Sequence, residues 1–127
     1  MIKNRKHGHI GLGTTDIEAD VKWYIDVLGF ELIGDFKDEN GGPIKFIKNN
    51  DVVYEIFPAG ENCVPGKIDH YAFDSQDIEA DYKYCVEQGY KITTNGIEGI
   101  STLWENGVKY FKIASPTGEE IEFCQVL

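Results

Sequence analysis

Apolar and polar residues alternate along several short stretches of the chain, the pattern of strands that have one buried face. In the first stretch, His7 to Gly13, the side chains of Ile10 and Leu12 fall on one face and His9 falls on the other. Turn signals such as Asn40-Gly41-Gly42-Pro43 separate the stretches. The pattern predicts a loose start over 1–6 and strands at 7–13, 30–37, 44–48, 52–57, 68–74, 90–94, 100–105, 108–114 and 119–126.

Two other segments carry apolar residues at helical spacing. Thr15 followed by Glu18 matches a capping box, which predicts that the first helix begins there. Gly29 is placed to end this helix in a left-handed turn. A second helix is predicted over 77–88. We expect both apolar stripes to pack against the sheet, because residues of this kind at this spacing are usually buried.

The chain repeats itself at about half its length. The pentapeptide Asp16–Asp20 recurs unchanged as Asp77–Asp81, and a histidine precedes each copy by seven residues, His9 and then His70. The first half follows the plan strand, helix, three strands, and the second half repeats the strand and helix and continues with four strands, which indicates a duplicated unit whose halves share one core. The 127-residue chain is therefore predicted to be a single α+β domain, with module one at about 7–57, a linker at 58–67 and module two at about 68–127.

Strand parity groups four polar residues together, because successive side chains of a strand point to opposite faces. His9, Glu55, His70 and Glu122 all lie opposite the apolar face that the helices should cover. A pseudo-twofold relation between the modules would bring them together. Two imidazoles and two carboxylates suit one divalent metal ion, and the donor set does not choose among nickel, cobalt, zinc, manganese and iron.

Each of these residues also has an ordinary explanation. A single strand histidine is usually a hydrogen-bonded, half-buried residue, and a strand glutamate usually faces solvent. The same pair in both repeats, with apolar neighbours on the same face, favours the metal site. His7 shares its parity with His9 and is the rival ligand, but the repeat aligns it with Ile68, so His9 is preferred.

Composition limits the partners. A net charge of −10, with no basic cluster beyond Lys3, Arg5 and Lys6, argues against nucleic acid and anionic membranes. Neither a long apolar span nor a signal peptide is evident, so a cytoplasmic protein is expected. The three cysteines lack the spacing of a disulfide framework or a thiolate zinc site and are predicted to be reduced thiols. A small-molecule substrate is therefore the expected partner.

Three motifs resemble those of the vicinal oxygen chelate superfamily, which includes glyoxalases, methylmalonyl-CoA epimerases, dioxygenases and bleomycin-resistance proteins. They are His9–Leu12 with Asp16, Trp23–Phe30, and Ser115–Gly118 leading to Ile121–Phe123. The resemblance implies tandem βαβββ modules that form an open, curled mixed sheet around a central cleft, with helices on the outer face. It also implies a metal ion and a homodimer.

The resemblance also implies roles for the four polar residues. His9, Glu55, His70 and Glu122 match the four metal ligands of glyoxalase I, with Glu122 as the catalytic base and Glu55 as its counterpart. The implied activity is that of a metal-dependent lyase or isomerase, which acts on a hemithioacetal-like substrate through a metal-bound enediolate. An acyl-CoA epimerase and a non-catalytic binding or resistance protein are the alternatives.

The chain differs from glyoxalases that use glutathione at two positions. Where those enzymes tend to carry an arginine and an asparagine, this sequence has Gly13 and Ala59. The resemblance therefore does not identify the thiol. Trp104, Tyr110 and Phe46 are candidate walls of the substrate pocket, with core packing as the alternative for each.

Overall fold

The computed structural model describes residues 2–127, which form an α+β fold with two helices and an eight-stranded mixed sheet. The fold-class prediction is confirmed. The elements are β1 His7–Thr14, α1 Ile17–Leu28, β2 Glu31–Lys37, β3 Pro43–Asn49, β4 Val52–Pro58, β5 Ile68–Asp74, α2 Ile78–Glu87, β6 Glu98–Ile100, β7 Val108–Ala114 and β8 Glu120–Val126. The strand order is β2-β3-β4-β1-β5-β8-β7-β6.

Contacts divide the chain into two compact units. The N-terminal unit is His9–Asp69, and the C-terminal unit is His70–Leu127 together with the residues up to Gly8. In the N-terminal unit β1 pairs in parallel with β4. Strand β4 pairs antiparallel with β3, and β3 pairs antiparallel with β2. Its core contains Val21, Phe30, Ile47 and Ile56, and the ring of Phe30 stacks on Tyr54 at 5.3 Å.

The C-terminal unit has the same plan. Strand β5 pairs in parallel with β8. Strand β8 pairs antiparallel with β7, and β7 pairs antiparallel with β6. Its core contains Ile78, Cys85, Phe111 and Phe123, and the last two rings stack with centroids 5.0 Å apart. The apolar strand faces that the alternation predicts are therefore the faces that meet the helices.

Both helices are capped by the first residue of the repeated pentapeptide and begin at its second residue. The side chain of Asp16 accepts a hydrogen bond from the amide of Ala19, and Asp77 does the same for Ala80. The capping box that starts at Thr15 is therefore wrong by one residue, because Asp16 takes the cap position. Gly29 has φ = 70° and ends α1 in the left-handed conformation, as predicted.

Two predicted strands of module two differ from the structure. Residues 90–94 form no strand and contribute one bridge, between Ile92 and Ile113. The strand predicted at 100–105 lies instead at Glu98–Ile100, and turns occupy 101–107. Trp104 and Gly107 both have positive φ, 53° and 82°, so the backbone leaves the extended conformation before β7 begins. A two-residue hairpin turn therefore does not occur here.

The start of the chain is anchored rather than loose, apart from Met1, which lies outside the described residues. The guanidinium of Arg5 donates hydrogen bonds of 2.9 and 2.5 Å to the two carboxylate oxygens of Asp81 on α2. The hydroxyl of Ser75 donates a third to the same carboxylate at 2.7 Å. Asp81 is only 8% exposed, so these donors satisfy a buried charge.

Two further expectations concern the cysteines and the membrane. No disulfide is found within residues 2–127, in accord with the prediction of reduced thiols. Burial raises the pKa of the Cys85 thiol, with a further contribution from the nearby Asp81 carboxylate. Among the described residues, neither helix has the length and apolar character that crossing a bilayer requires.

Candidate metal centre

In the N-terminal unit, parallel strands β1 and β4 present His9 and Glu55. Glu55 lies beside Gly11 in the register, and the alternation of β1 puts His9 on the same face. Nε2 of His9 lies 3.6 Å from Oε1 of Glu55, and the two residues are 7% and 9% exposed. The edge of Phe46 meets the His9 ring at 5.6 Å, so one of the predicted pocket walls packs against the imidazole.

The C-terminal unit repeats this arrangement on β5 and β8. Glu122 lies beside Ala72, two residues after His70. Nε2 of His70 lies 3.4 Å from Oε2 of Glu122, and the residues are 4% and 5% exposed. Each module therefore buries one imidazole next to one carboxylate, on matching strands.

Three of the four residues form a group that could hold a metal ion. Potential donor atoms of His9, Glu55 and His70 all lie within 4.8 Å of one another, and all three residues are buried. Two ligands of a first-row ion with bonds of about 2.0–2.2 Å are at most about 4.0–4.4 Å apart, so shifts of a few tenths of an ångström would bring these atoms within reach of one ion. Burying a carboxylate is costly without a compensating charge, and a divalent cation supplies one. The buried triad is thus consistent with one divalent metal.

Glu122 is not one of those three residues, but it lies directly beside one of them, His70. His7, the rival ligand, has a different neighbour: its Nδ1 and the hydroxyl of Tyr71 form a hydrogen bond of 2.9 Å. The rings of these two residues are also in contact, with centroids 5.2 Å apart.

The remaining candidates for pocket walls lie in the C-terminal unit. Tyr110 on β7 is half-buried and pairs with Cys124, so it shares a strand face with Glu122. Trp104 is half-buried in the turns that precede β7. Sequence reasoning overlooked Lys112, which pairs with Glu122 itself. The sequence did indicate its position, because Val108, Tyr110 and Lys112 alternate along β7 and therefore lie on one face of the strand.

This arrangement of strands and buried donors agrees with the comparison to known families. The profile of the Glyoxalase/Bleomycin resistance protein/Dioxygenase superfamily matches residues 6–123. The chain belongs to this superfamily. The sequence resemblance is confirmed, and membership indicates a small molecule as the ligand.

Matches to similar proteins cover almost the full chain. The uncharacterized protein YwbC of Bacillus subtilis (strain 168) is 32% identical over 123 residues, which cover 92% of this chain and 94% of YwbC. A hypothetical protein from Bacillus halodurans C-125 has a solved structure with a TM-score of 0.76 at 24% identity, covering 98% of this chain and 96% of that one. For methylmalonyl-CoA epimerase from Mycobacterium tuberculosis the TM-score is 0.78 at 17% identity, with 100% and 93% covered. At these identities the structural matches establish the fold.

Proposed function

We propose that the protein is a metal-dependent lyase or isomerase that moves a proton at a carbon next to a carbonyl. The buried group of His9, Glu55 and His70, with Glu122 beside His70, carries this proposal. We further propose that all four residues bind one divalent ion. The expected substrate is small and presents two neighbouring oxygens, as the hemithioacetal of a 2-oxoaldehyde does.

A divalent ion held by these side chains would stabilise negative charge on a substrate oxygen and so make the adjacent C–H more acidic. His9 and His70 are both buried, which limits the movement of their rings. Glu122 accepts the proton from carbon and returns it to the neighbouring carbon. Glu55, the equivalent carboxylate of module one, would act from the other side of the substrate.

Glutathione is not our preferred thiol, and the packing around Gly13 supports this. A Cβ atom added at Gly13 would lie 2.1 Å from Sγ of Cys63 and 3.4 Å from Cα of Ala59. Linker residues therefore fill the space beside the position where glutathione-dependent relatives tend to carry an arginine. Arg5, the single arginine of the chain, is bound to Asp81.

The second candidate is an epimerase of an acyl thioester, favoured by the likeness to methylmalonyl-CoA epimerases. The same residues would serve both reactions. In an epimerase one carboxylate removes the proton and the other returns one to the opposite side of the same carbon. Two buried carboxylates, one from each module, supply that pair.

One experiment separates these reactions from simple binding. Metal-loaded protein in heavy water would be incubated with hemithioacetals of 2-oxoaldehydes and with 2-substituted acyl thioesters. A 2-hydroxyacyl thioester product supports the lyase, and deuterium at the acyl α-carbon without net conversion supports the epimerase. Ligand binding with no exchange in either class, and undiminished after metal removal, would instead support a non-catalytic binding protein.

We also propose a homodimer. Trp23 and Val27 lie one turn apart on α1 and are 50% and 57% exposed, and apolar surface of this kind is common at subunit interfaces. Light scattering after size exclusion should give twice the 14.3 kDa mass of the chain. A monomer mass at micromolar concentration would contradict this.

A further inference from the structure

Lys112 shares a strand face with His70 and Glu122. In the antiparallel pair β7 and β8, Lys112 lies directly opposite Glu122. Side chains at such positions project to the same side of the sheet, with Cβ atoms about 4.5–5.5 Å apart. Parallel pairing of β5 with β8 brings Ala72 beside Glu122, which puts His70 on that face as well.

The lysine is held in place and largely shielded from water. Its side chain is 17% exposed, and Nζ lies 3.6 Å from Oε2 of Glu120. Its backbone amide donates to Oγ1 of Thr94, and its carbonyl accepts from the amide of Thr93. A surface lysine that merely solubilises the protein would extend into solvent, whereas this one is largely buried and lies near a carboxylate.

The charges around Lys112 make it distinctive. Among the described strands β5 to β8, this face carries four carboxylates and one ammonium group, that of Lys112. The carboxylates are those of Asp74, Glu98, Glu120 and Glu122. Apart from a metal ion at the proposed site, this ammonium is the positive charge that an anionic substrate would meet on the face.

We propose that Lys112 is a specificity-determining residue that binds an anionic oxygen of the substrate, such as one oxygen of a carboxylate. This inference rests on the proposed function and adds a substrate class to it: small oxyanions with a negative group near the carbon that loses its proton. The ammonium would exchange part of its contact with Glu120 for the substrate oxygen. A charged hydrogen bond of this kind should change affinity by about 10- to 100-fold.

Two similar ligands test the assignment on metal-loaded protein. Oxalate and oxamate each offer two neighbouring oxygens, and oxamate replaces one carboxylate with an uncharged amide. In calorimetric titrations, Lys112→Met should weaken oxalate binding by about 10- to 100-fold and oxamate binding by less than about threefold. Lys112→Arg, which keeps the charge, should retain much of the preference for oxalate. Glu120→Gln, which removes the competing carboxylate, should tighten oxalate binding.

Lys109→Met is the matched control, because Lys109 is on the opposite face of the same strand and pairs with Glu79 at 3.6 Å. It should leave both ligands unaffected. An unchanged oxalate-to-oxamate ratio in Lys112→Met would overturn the assignment of Lys112 and leave the proposed function standing. If neither ligand bound to metal-loaded wild-type protein, the proposed function would fall, and the assignment with it. Metal content and melting temperature of each variant are measured first, so that a folding defect is recognised.

Discussion

Nε2 of His70 and Oε2 of Glu122 lie 3.4 Å apart, and both residues are almost fully buried. The carboxylate is therefore next to His70, which belongs to the group that could hold a metal ion. If Glu122 is the base, as we propose, this position keeps its carboxylate close to that group, where it can accept the substrate proton.

Replacing the carboxylate of Glu122 by an amide should leave the structure intact and slow the chemistry. Glu122→Gln keeps the size of the side chain but cannot accept the substrate proton, so kcat should fall by about 10²- to 10⁴-fold. The assay is deuterium exchange on whichever substrate class is active. Glu31→Gln, an exposed position on β2, is the control. Full activity in Glu122→Gln would show that another group is the base.

Metal binding should depend on His9 and not on His7. Because the ion binds only the folded chain, metal at 100 times its Kd should stabilise the wild-type protein by about 2.7 kcal/mol. His9→Ala should abolish both this gain and stoichiometric metal uptake. His7→Ala loses a hydrogen bond to Tyr71 and should still bind the ion. Metal analysis and thermal melts measure the two effects. Equal loss of metal in both variants would contradict the choice of His9.

The ion pair of Arg5 and Asp81 should contribute more to stability than an exposed pair. Arg5→Met removes the cation that pairs with the Asp81 carboxylate, which is 8% exposed. We expect the free energy of unfolding to fall by roughly 2–3 kcal/mol, which is less than for a fully buried pair because the arginine is partly exposed. Lys22→Met breaks the exposed pair with Asp26 and should cost less than about 0.5 kcal/mol. Urea unfolding compares the two. Similar losses would mean that the buried pair contributes little.

Mutations at the helix caps test whether Asp16, as in the structure, or Thr15, as the capping box predicts, caps α1. Asp16→Ala removes the acceptor for the amide of Ala19 and should cost about 0.5–2 kcal/mol. Asp77→Ala should cost a similar amount in α2. Thr15→Ala should have almost no effect, because this exposed residue lies outside the cap. Chemical denaturation measures all three, and a larger loss at Thr15 than at Asp16 would restore the capping box.

Much of the fold could be predicted because its signals are local. Alternation places Ile56 and Phe123 towards the helices, and these residues belong to the two cores. The same parity puts His9 and Glu55 on the other face. These predictions needed only the two-residue period of a strand and the repeat.

The errors arose where distant contacts decide the structure. Residues 90–94 have the composition of a strand, yet their pairing with β7 is limited to the bridge between Ile92 and Ile113 and the backbone hydrogen bonds beside it, which is too short to form a strand. Arg5 looked like part of a loose start because its partner Asp81 lies far along the sequence. Lys112 was overlooked because a single strand lysine usually faces solvent, and only the register with β8 gives it a carboxylate opposite.

The anchoring of Arg5 also bears on how the duplicated gene product can be divided. The residues up to Gly8 pack with the C-terminal unit, although the predicted linker at 58–67 lies much later in the chain. A cut in that linker would leave Arg5 on one fragment and Asp81 on the other. Each of these fragments would lack one partner of a buried ion pair, so we expect that neither folds fully unless the other is present. For the same reason, an affinity tag that displaces Arg5 would disturb the C-terminal unit.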